Sequence, residues 1–528
     1  MYTFIIKNGL IVDGTNTEPY YADIAVKGDT IVKIGKIEDH AEKVIDAEGR
    51  IVTPGFIDIH CHSDAVTFVK GKNEKRLRQG FTTEVIGNCG ISAAPVNPKY
   101  KELLVKYCDP YYACVPLPYD WETFGEYLDA VEEHHPVLNT AALAGHGALR
   151  IAAAGFENRK LAKEELEKMK GLLSDAMKDG AFGMSTGLIY PPGVFADEQE
   201  IVELAKTVKK YGGMYASHMR SESDMLEAAV QETINVARKT GVNTEISHHK
   251  AAGRKNHGKV RKTLRLIAEA RREGIPVNCD VYPYDAASTN FNAILPPWAL
   301  EGGVERMLER LEDPGLRAQM IADMKNEEPD YESFYQLAGW DKIIINECEV
   351  KNYEGKTVEQ IAYEKGRDPF EMALDIIKES HNNAMMIIFS MSADDVTEVL
   401  RSPYSIICTD GFASPGKTHP RYFSAFIRVL EKYVRQENVL TLTQAVYKMT
   451  GMPAEKIGFR DRGKILEGWK ADLLVLDFEK IHDNSDYNRH DAMADGIDCV
   501  MINGQLAAEK GNYRGICAGR VLRRKDDL

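Results

Sequence analysis

Six side chains in this sequence could hold a metal ion, and their spacing says more than their number. Gly55-Phe56-Ile57-Asp58-Ile59-His60-Cys61-His62 begins as a short apolar run and ends in two histidines separated by one residue. Successive side chains on a strand face opposite ways, so His60 and His62 share a face with Phe56 and Asp58 and can reach one cation. Cys89 lies among small residues in the turn Val85-Ile86-Gly87-Asn88-Cys89-Gly90. His218 ends Tyr215-Ala216-Ser217-His218, His248 ends Glu245-Ile246-Ser247-His248, and Asp410 ends Ile407-Cys408-Thr409-Asp410. Taken singly, each has a packing explanation. Taken together, they place six metal-type groups on five strand ends, and thiolate, imidazole and carboxylate in one set suit zinc. Lys250 shares the face of His248, whereas His249 points the other way. His146, in Gly145-His146-Gly147, fits either a substrate contact or a packing role. His257, His381, His482 and His490 fall in polar segments and read as solvated.

These groups meet only if the elements that carry them converge. Candidate strands are Phe56–His60, Thr83–Ile86, Asn139–Leu143, Ala181–Ser185, Met214–His218, Asn243–His248, Val277–Tyr282 and Ser405–Thr409. Helical periodicity lies between them, clearest in Ala162–Lys178, Asp197–Lys210, Met225–Lys239 and Val260–Arg272. Eight strands alternating with helices predict a (β/α)₈ barrel, with ligands at the C-terminal ends of the strands. Met385–Phe389 is a ninth strand-like run whose place is open. Residues 291–382 are too long for a connection and read as an inserted lid or subdomain. Before the barrel, Phe4–Ile6, Leu10–Val12, Ala22–Val26 and Thr30–Ile34 read as short strands, and Gly463–Ile465, Ala471–Leu476 and Cys499–Gly504 read likewise at the far end. The division expected is a β-sandwich built from 1–54 and 456–528, with the barrel over 55–455.

Composition bounds the function. The 528 residues are 44% hydrophobic and 28% charged, as in globular proteins, and the formal net charge of −14 disfavours nonspecific binding to nucleic acid or anionic membranes. The first residues lack the pattern of a secretory leader, and no apolar run reaches membrane-spanning length. Nine scattered cysteines, with no CxxC, suit free thiols in a reducing cytoplasm. Oligomeric state is left open.

The chain resembles the amidohydrolase superfamily in Pro54-Gly55-Phe56-Ile57-Asp58-Ile59-His60-Cys61-His62, the flanking sheet segments and Thr409-Asp410-Gly411. Within it, the chain is similar to the D-aminoacylases, or N-acyl-D-amino-acid deacylases. Gly87-Asn88-Cys89-Gly90, Gly183-Met184-Ser185-Thr186-Gly187-Leu188-Ile189-Tyr190, Ser217-His218-Met219-Arg220, Ser247-His248-His249-Lys250, Tyr282-Pro283-Tyr284 and His419-Pro420-Arg421 carry that likeness. The resemblance implies that Cys89, His218 and His248 hold one tight zinc, and that His60, His62 and Asp410 form an adjacent, weakly occupied position. It also implies hydrolysis of N-acyl-D-amino acids, or of dipeptides ending in a D-residue.

The chemistry agrees. Zinc polarises an acyl oxygen and acidifies water, and Asp410 can take a proton from that water and pass it to the leaving amine. Lys250 and Arg421 are suitable cations for the substrate carboxylate. Tyr190, Tyr282 and Ser288 can add hydroxyl donors. Two further readings are weighed against this one. A cyclic-amide hydrolase of the hydantoinase or dihydroorotase kind would use a carbamylated lysine, and no clear candidate stands in the sequence. A metal-binding protein without catalysis would not need Asp410 beside every ligand.

Overall fold

The structure is a computed structural model that describes residues 1–69, 73–112, 115–413, 416–489 and 491–524. Its centre is a (β/α)₈ barrel. The parallel strands are Phe56–Asp58, Phe81–Ile86, Asn139–Ala142 continued by Ala144–Gly145, Gly183–Gly187, Met214–His218, Asn243–Ile246, Val277–Val281 and Ser405–Ile407. All eight predicted strand runs are there, most of them a residue or two shorter at one end. Their residues are buried on both faces, as parallel strands covered by helices require. The barrel closes between its last and first strands. Gly411–Phe412 runs parallel to Cys61–His62, and the Asp410 N–H donates to the His60 carbonyl at 2.8 Å. This closure brings Asp410 beside the two histidines.

Helix ends follow local chemistry. Lys163–Asp179 starts with Glu164 and Glu165 against its N-terminal dipole and stops at Gly180, whose φ of 114° a side chain would oppose. Its buried Met169, Leu173, Ala176 and Met177 recur at helical spacing and face the barrel side of the chain. A fully buried leucine such as Leu173 contributes about 1.5–3 kcal/mol. Glu198–Lys210, Leu226–Thr240 and Val260–Arg272 follow the predicted spans to within a residue.

The ninth strand-like run, Met385–Ile388, lies outside the barrel. It pairs antiparallel with Ala287–Asn290 and with Ile343–Glu347, and Lys356–Thr357 completes a four-stranded sheet. All four of its residues are buried, as a barrel strand's are, so only the pairing separates the two. The helices Val304–Glu312, Pro314–Lys325, Val358–Lys365 and Pro369–Glu379 accompany this sheet, and the whole insertion has its own core around Phe291, Ile343, Ile345, Met386 and Ile388.

The two chain ends meet in one nine-stranded sheet. It joins Tyr2–Ile11, Tyr20–Lys27, Thr30–Gly35, Ala41–Asp46 and Ile51–Pro54 to Leu473–Leu476, Ile497–Ile502, Gln505–Glu509 and Asn512–Tyr513. Ile6, Val26 and Val52 share one core with Leu473, Val475 and Met501. Three details differ from expectation. Phe4–Ile6 and Leu10–Val12 belong mostly to one strand, because the register shift between Ile6 and Gly9, with Asn8 at a φ of 56°, absorbs the glycine as a bulge. Gly463–Ile465 forms no strand, although the Ile465 N–H donates to the Asp13 carbonyl at 3.0 Å. Ala41–Asp46 is a strand that its polar composition concealed, with every second residue exposed. Among the described residues, no helix is long and apolar enough to cross a membrane.

Candidate active site

The predicted metal-type residues converge at the strand ends. Cys89 Sγ stands 3.3 Å from His60 Nε2 and 3.5 Å from His248 Nε2. His218 Nδ1 is 2.9 Å from His248 Nε2. Asp410 Oδ1 lies 3.5 Å from His60 Nε2 and 3.4 Å from His62 Nε2. Ligand atoms of His60, Cys89, His248 and Asp410 all fall within 4.8 Å of one another. All six side chains are buried.

The backbone is bent to achieve this. Cys89, His248 and Asp410 hold φ values of 53°, 35° and 48°, a left-handed region that costs non-glycine residues of the order of ~1–3 kcal/mol each. The glycine beside the cysteine is equally constrained. Gly87 has a φ of 76°, and a Cβ there would stand 2.0 Å from the Leu143 carbonyl oxygen.

Carboxylates behind the imidazoles fix their orientation. Asp280 Oδ2 lies 3.4 Å from His60 Nδ1, while its Oδ1 accepts the His248 backbone N–H at 2.6 Å and the Cys408 thiol at 3.1 Å. Glu222 Oε1 stands 2.8 Å from His248 Nδ1 and also meets Lys250 Nζ. A proton on the outer nitrogen, shared with a carboxylate, leaves the inner nitrogen's lone pair for a cation. The charges pull in the matching direction. Burial alone would raise the Cys89 thiol, but the surrounding imidazoles hold it well below its ordinary value. Burial would likewise raise Asp410, yet Arg421 and the histidines keep its carboxyl well below the usual range. Burial would lower His60, and Asp280 and the Cys89 sulfur outweigh it.

This donor set fits zinc. It combines one thiolate, four imidazoles and one carboxylate, and the buried ring atoms His218 Nε2 and His62 Nδ1 have no hydrogen-bond partner among the described residues. The ligand atoms gather in two overlapping groups, His60, Cys89, His248 and Asp410 in one and His218, Glu222 and His248 in the other.

A narrow cavity opens over this cluster, and the predicted substrate-binding residues Lys250, Arg421, Tyr190, Tyr282 and Ser288 all line it. Arg421 is buried, with its Nη1 2.8 Å from Asp410 Oδ2 as an ion pair and its guanidinium 4.7 Å from the Tyr282 ring centre. That pair lacks hydrogen-bond alignment, so Arg421 Nε and Nη1 have no directed acceptor, and Nη2 donates to the Ser288 carbonyl at 3.2 Å. The Ser288 hydroxyl is buried and has no hydrogen-bond partner among the described residues. Tyr282 donates to Met391 Sδ at 3.4 Å, and Tyr190 meets the Thr289 hydroxyl at 2.9 Å. Lys250 and Arg421 are thus each occupied by an acid of the protein, rather than both facing an open anion site.

Other histidines are elsewhere. His146 pairs with Glu200 at 2.9 Å and His249 with the Thr263 hydroxyl at 2.8 Å. His257, His381 and His482 are exposed, and His490 lies outside the described residues. Sequence reasoning missed Asp280 and Glu222, which orient the ligands, and Tyr111 and Phe334, which line the cavity. An aspartate inside the apolar strand Val277–Val281 was a legible signal. Glu222, four residues beyond His218 in a polar loop, carried none.

Known proteins with this arrangement can now be compared. The sequence profile described as the amidohydrolase family matches residues 43–508. A D-aminoacylase from Alcaligenes xylosoxydans xylosoxydans is 33% identical over 525 residues, covering 99% of this chain and 98% of its own. An N-acyl-D-glutamate deacylase of the same organism is 33% identical over 526 residues, covering 98% and 96%. A crystal structure of N-acyl-D-glutamate deacylase from Bordetella bronchiseptica, complexed with zinc and a phosphonate inhibitor that mimics the tetrahedral intermediate, superposes with a TM-score of 0.82 at 32% identity over 99% of this chain and 100% of that one. A likeness that runs the length of the chain, on a barrel whose strand ends gather these ligands, makes this protein a member of the amidohydrolase family, on its D-aminoacylase branch.

Proposed function

We propose that the protein hydrolyses the amide bond of N-acyl-D-amino acids, releasing a carboxylate and a free D-amino acid, with zinc as its cofactor. The observation that carries this reading is Cys89 among four imidazoles, with Asp410 at the same cavity as the buried Arg421 and Ser288. Zinc held by Cys89, His218 and His248 would polarise the acyl carbonyl and acidify water. A second, weaker ion would use His60, His62 and Asp410.

The chain's own groups divide the remaining work. Asp410 accepts a proton from the attacking water and returns it to the departing amine nitrogen, so one water is consumed and no charge is left behind. Arg421, poised against Asp410 Oδ2 in the free protein, turns part of its guanidinium fork to the substrate carboxylate. Ser288 supplies a hydroxyl with no competing partner, and Tyr282 and Tyr190 add two more. Lys250 meets the same carboxylate while Glu222 holds its ammonium and the His248 ring in place.

The wider architecture serves the same reaction. Residues 55–455 form the hydrolase unit, and 1–54 with 456–528 form a supporting β unit. Residues 291–382 act as a lid, since Phe334 lines the cavity and Glu332 accepts hydrogen bonds from the Ser221 and Ser223 hydroxyls at 2.7 Å each. The two Alcaligenes relatives are equally identical and differ in name by substrate, so similarity does not choose the side chain.

Release of free amine from N-acetyl- and N-formyl-D- and L-amino acids tests the reading. Turnover of D-isomers with L-isomers untouched is expected. Equal turnover of both hands would remove the stereochemical assignment, and turnover of neither would remove the function.

A further inference from the structure

A second cavity, of about 220 Å³, lies against the first. Its walls carry the charged Lys106, Arg220, Asp330 and Glu332, but most of the exposed lining is apolar: Tyr107 and Pro110 from one helix, Phe156 and Ile189 from barrel connections, and Leu295 and Leu300 from the insertion. Among the described residues, only Tyr111 and Tyr190 line both cavities. They mark where the two meet, and both belong to the metal side. Tyr111 lies 6.0 Å, ring centre to ring centre, from His62, and Tyr190 lies 4.8 Å from His218. Their hydroxyls converge on the Thr289 hydroxyl, at 3.4 Å and 2.9 Å. This hydrogen-bonded bar separates the metal-side cavity from the apolar chamber. Lys250, Arg421, Tyr282 and Ser288 line the smaller cavity alone.

That partition orients a substrate. The carboxylate and the scissile carbonyl are at opposite ends of an acyl-amino acid, with the acyl tail extending beyond the carbonyl. If the carboxylate takes the cationic end and the carbonyl the metal end, the tail continues past Tyr111 and Tyr190. An acetyl group would leave the chamber unused, whereas a chain of several methylenes would reach into it. Ordered burial of apolar surface is what such a wall rewards.

We propose that the apolar chamber behind Tyr111 and Tyr190 is an acyl-tail pocket, and that the protein prefers N-acyl-D-amino acids with medium-length alkyl or aryl acyl groups over acetyl derivatives. This rests on the deacylase reading above. Each methylene gained in a hydrophobic pocket is worth about tenfold or more in discrimination at best, so even partial filling is measurable.

The test holds the amino acid constant and varies the acyl group. Wild-type kcat/KM should rise at least about tenfold from N-acetyl- to N-octanoyl-D-leucine, with N-phenylacetyl-D-leucine also favoured. Leu300→Trp and, as a milder filling, Val304→Phe narrow the chamber far from the metal ligands. Each should cut octanoyl turnover by at least about tenfold and leave acetyl turnover within about twofold, which also reports that the variant has folded. A flat chain-length series in the wild type would overturn the proposal while leaving the deacylase reading intact. So would a variant that loses N-acetyl-D-tryptophan relative to N-acetyl-D-alanine at unchanged chain-length preference, because the chamber would then hold the side chain. Absence of turnover on every acyl-D-amino acid would instead overturn the function on which the proposal rests.

Discussion

Replacing Ser288 with alanine separates substrate binding from folding. The Ser288 hydroxyl is buried, lines the metal-side cavity, and has no hydrogen-bond partner among the described residues. Removing it therefore breaks no bond of the free protein. It also relieves a buried polar group of the ~1–3 kcal/mol that an unmade hydrogen bond costs, so the melting temperature should hold or rise. With substrate bound, the same hydroxyl donates to the carboxylate, and a hydrogen bond to a charged group contributes about 1.5–3 kcal/mol. That corresponds to a loss of roughly 10- to 150-fold in kcat/KM. The assay compares an N-acyl-D-amino acid with its carboxamide in wild type and Ser288→Ala, alongside thermal melting. A large loss on the acid, a small loss on the amide and an unchanged or higher melting temperature are expected. Equal losses on both substrates, or a lower melting temperature, would refute the assignment of Ser288 to the carboxylate.

Two other predictions use different observables. Asp410→Asn preserves shape but removes the proton acceptor, so turnover should fall by about 10²–10⁴-fold while the tight zinc remains, as measured by metal analysis of the purified variant; near-normal turnover with metal retained would exclude the role. Burial pushes the Glu332 carboxyl up to about 7 from its ordinary 4.5, so its contribution to holding the insertion is complete below about pH 4.5 and is lost as pH rises through about 7. Glu332→Gln, which keeps an acceptor without the charge, should gain melting temperature on the wild type between pH 5 and pH 8, and a gap that does not change with pH would contradict the linkage.

Much of this arrangement was legible because barrel strands are apolar runs with chemistry at their ends. Val277–Val281 and Met214–His218 announce themselves by composition, and His218, His248 and Asp410 stand where such runs stop. Local pattern cannot report what depends on pairing. Met385–Ile388 has the composition of a barrel strand and joins an antiparallel sheet instead, because Ala287–Asn290 and Ile343–Glu347 flank it. The partners of the carboxylates behind the ligands were hidden for the same reason, although Asp280 itself stood out within its strand. Asp280 serves both His60 and His248, which lie 188 positions apart in the chain (248 − 60), and Glu222 reaches Lys250 across a loop. Arg421 was legible as a cation near Asp410, but not as its 2.8 Å partner, since that contact depends on how the last loop folds back.

The central claim is that zinc held by Cys89, His218 and His248 is required for hydrolysis. It is tested most directly by stripping the protein with a chelator and adding zinc back while following both turnover and bound metal. Negligible turnover is expected in the stripped protein, with recovery that levels off near one equivalent, and Cys89→Ala, with an unchanged circular dichroism spectrum, should neither retain the metal nor recover. Full turnover without metal, or full zinc content and activity in Cys89→Ala, would contradict it.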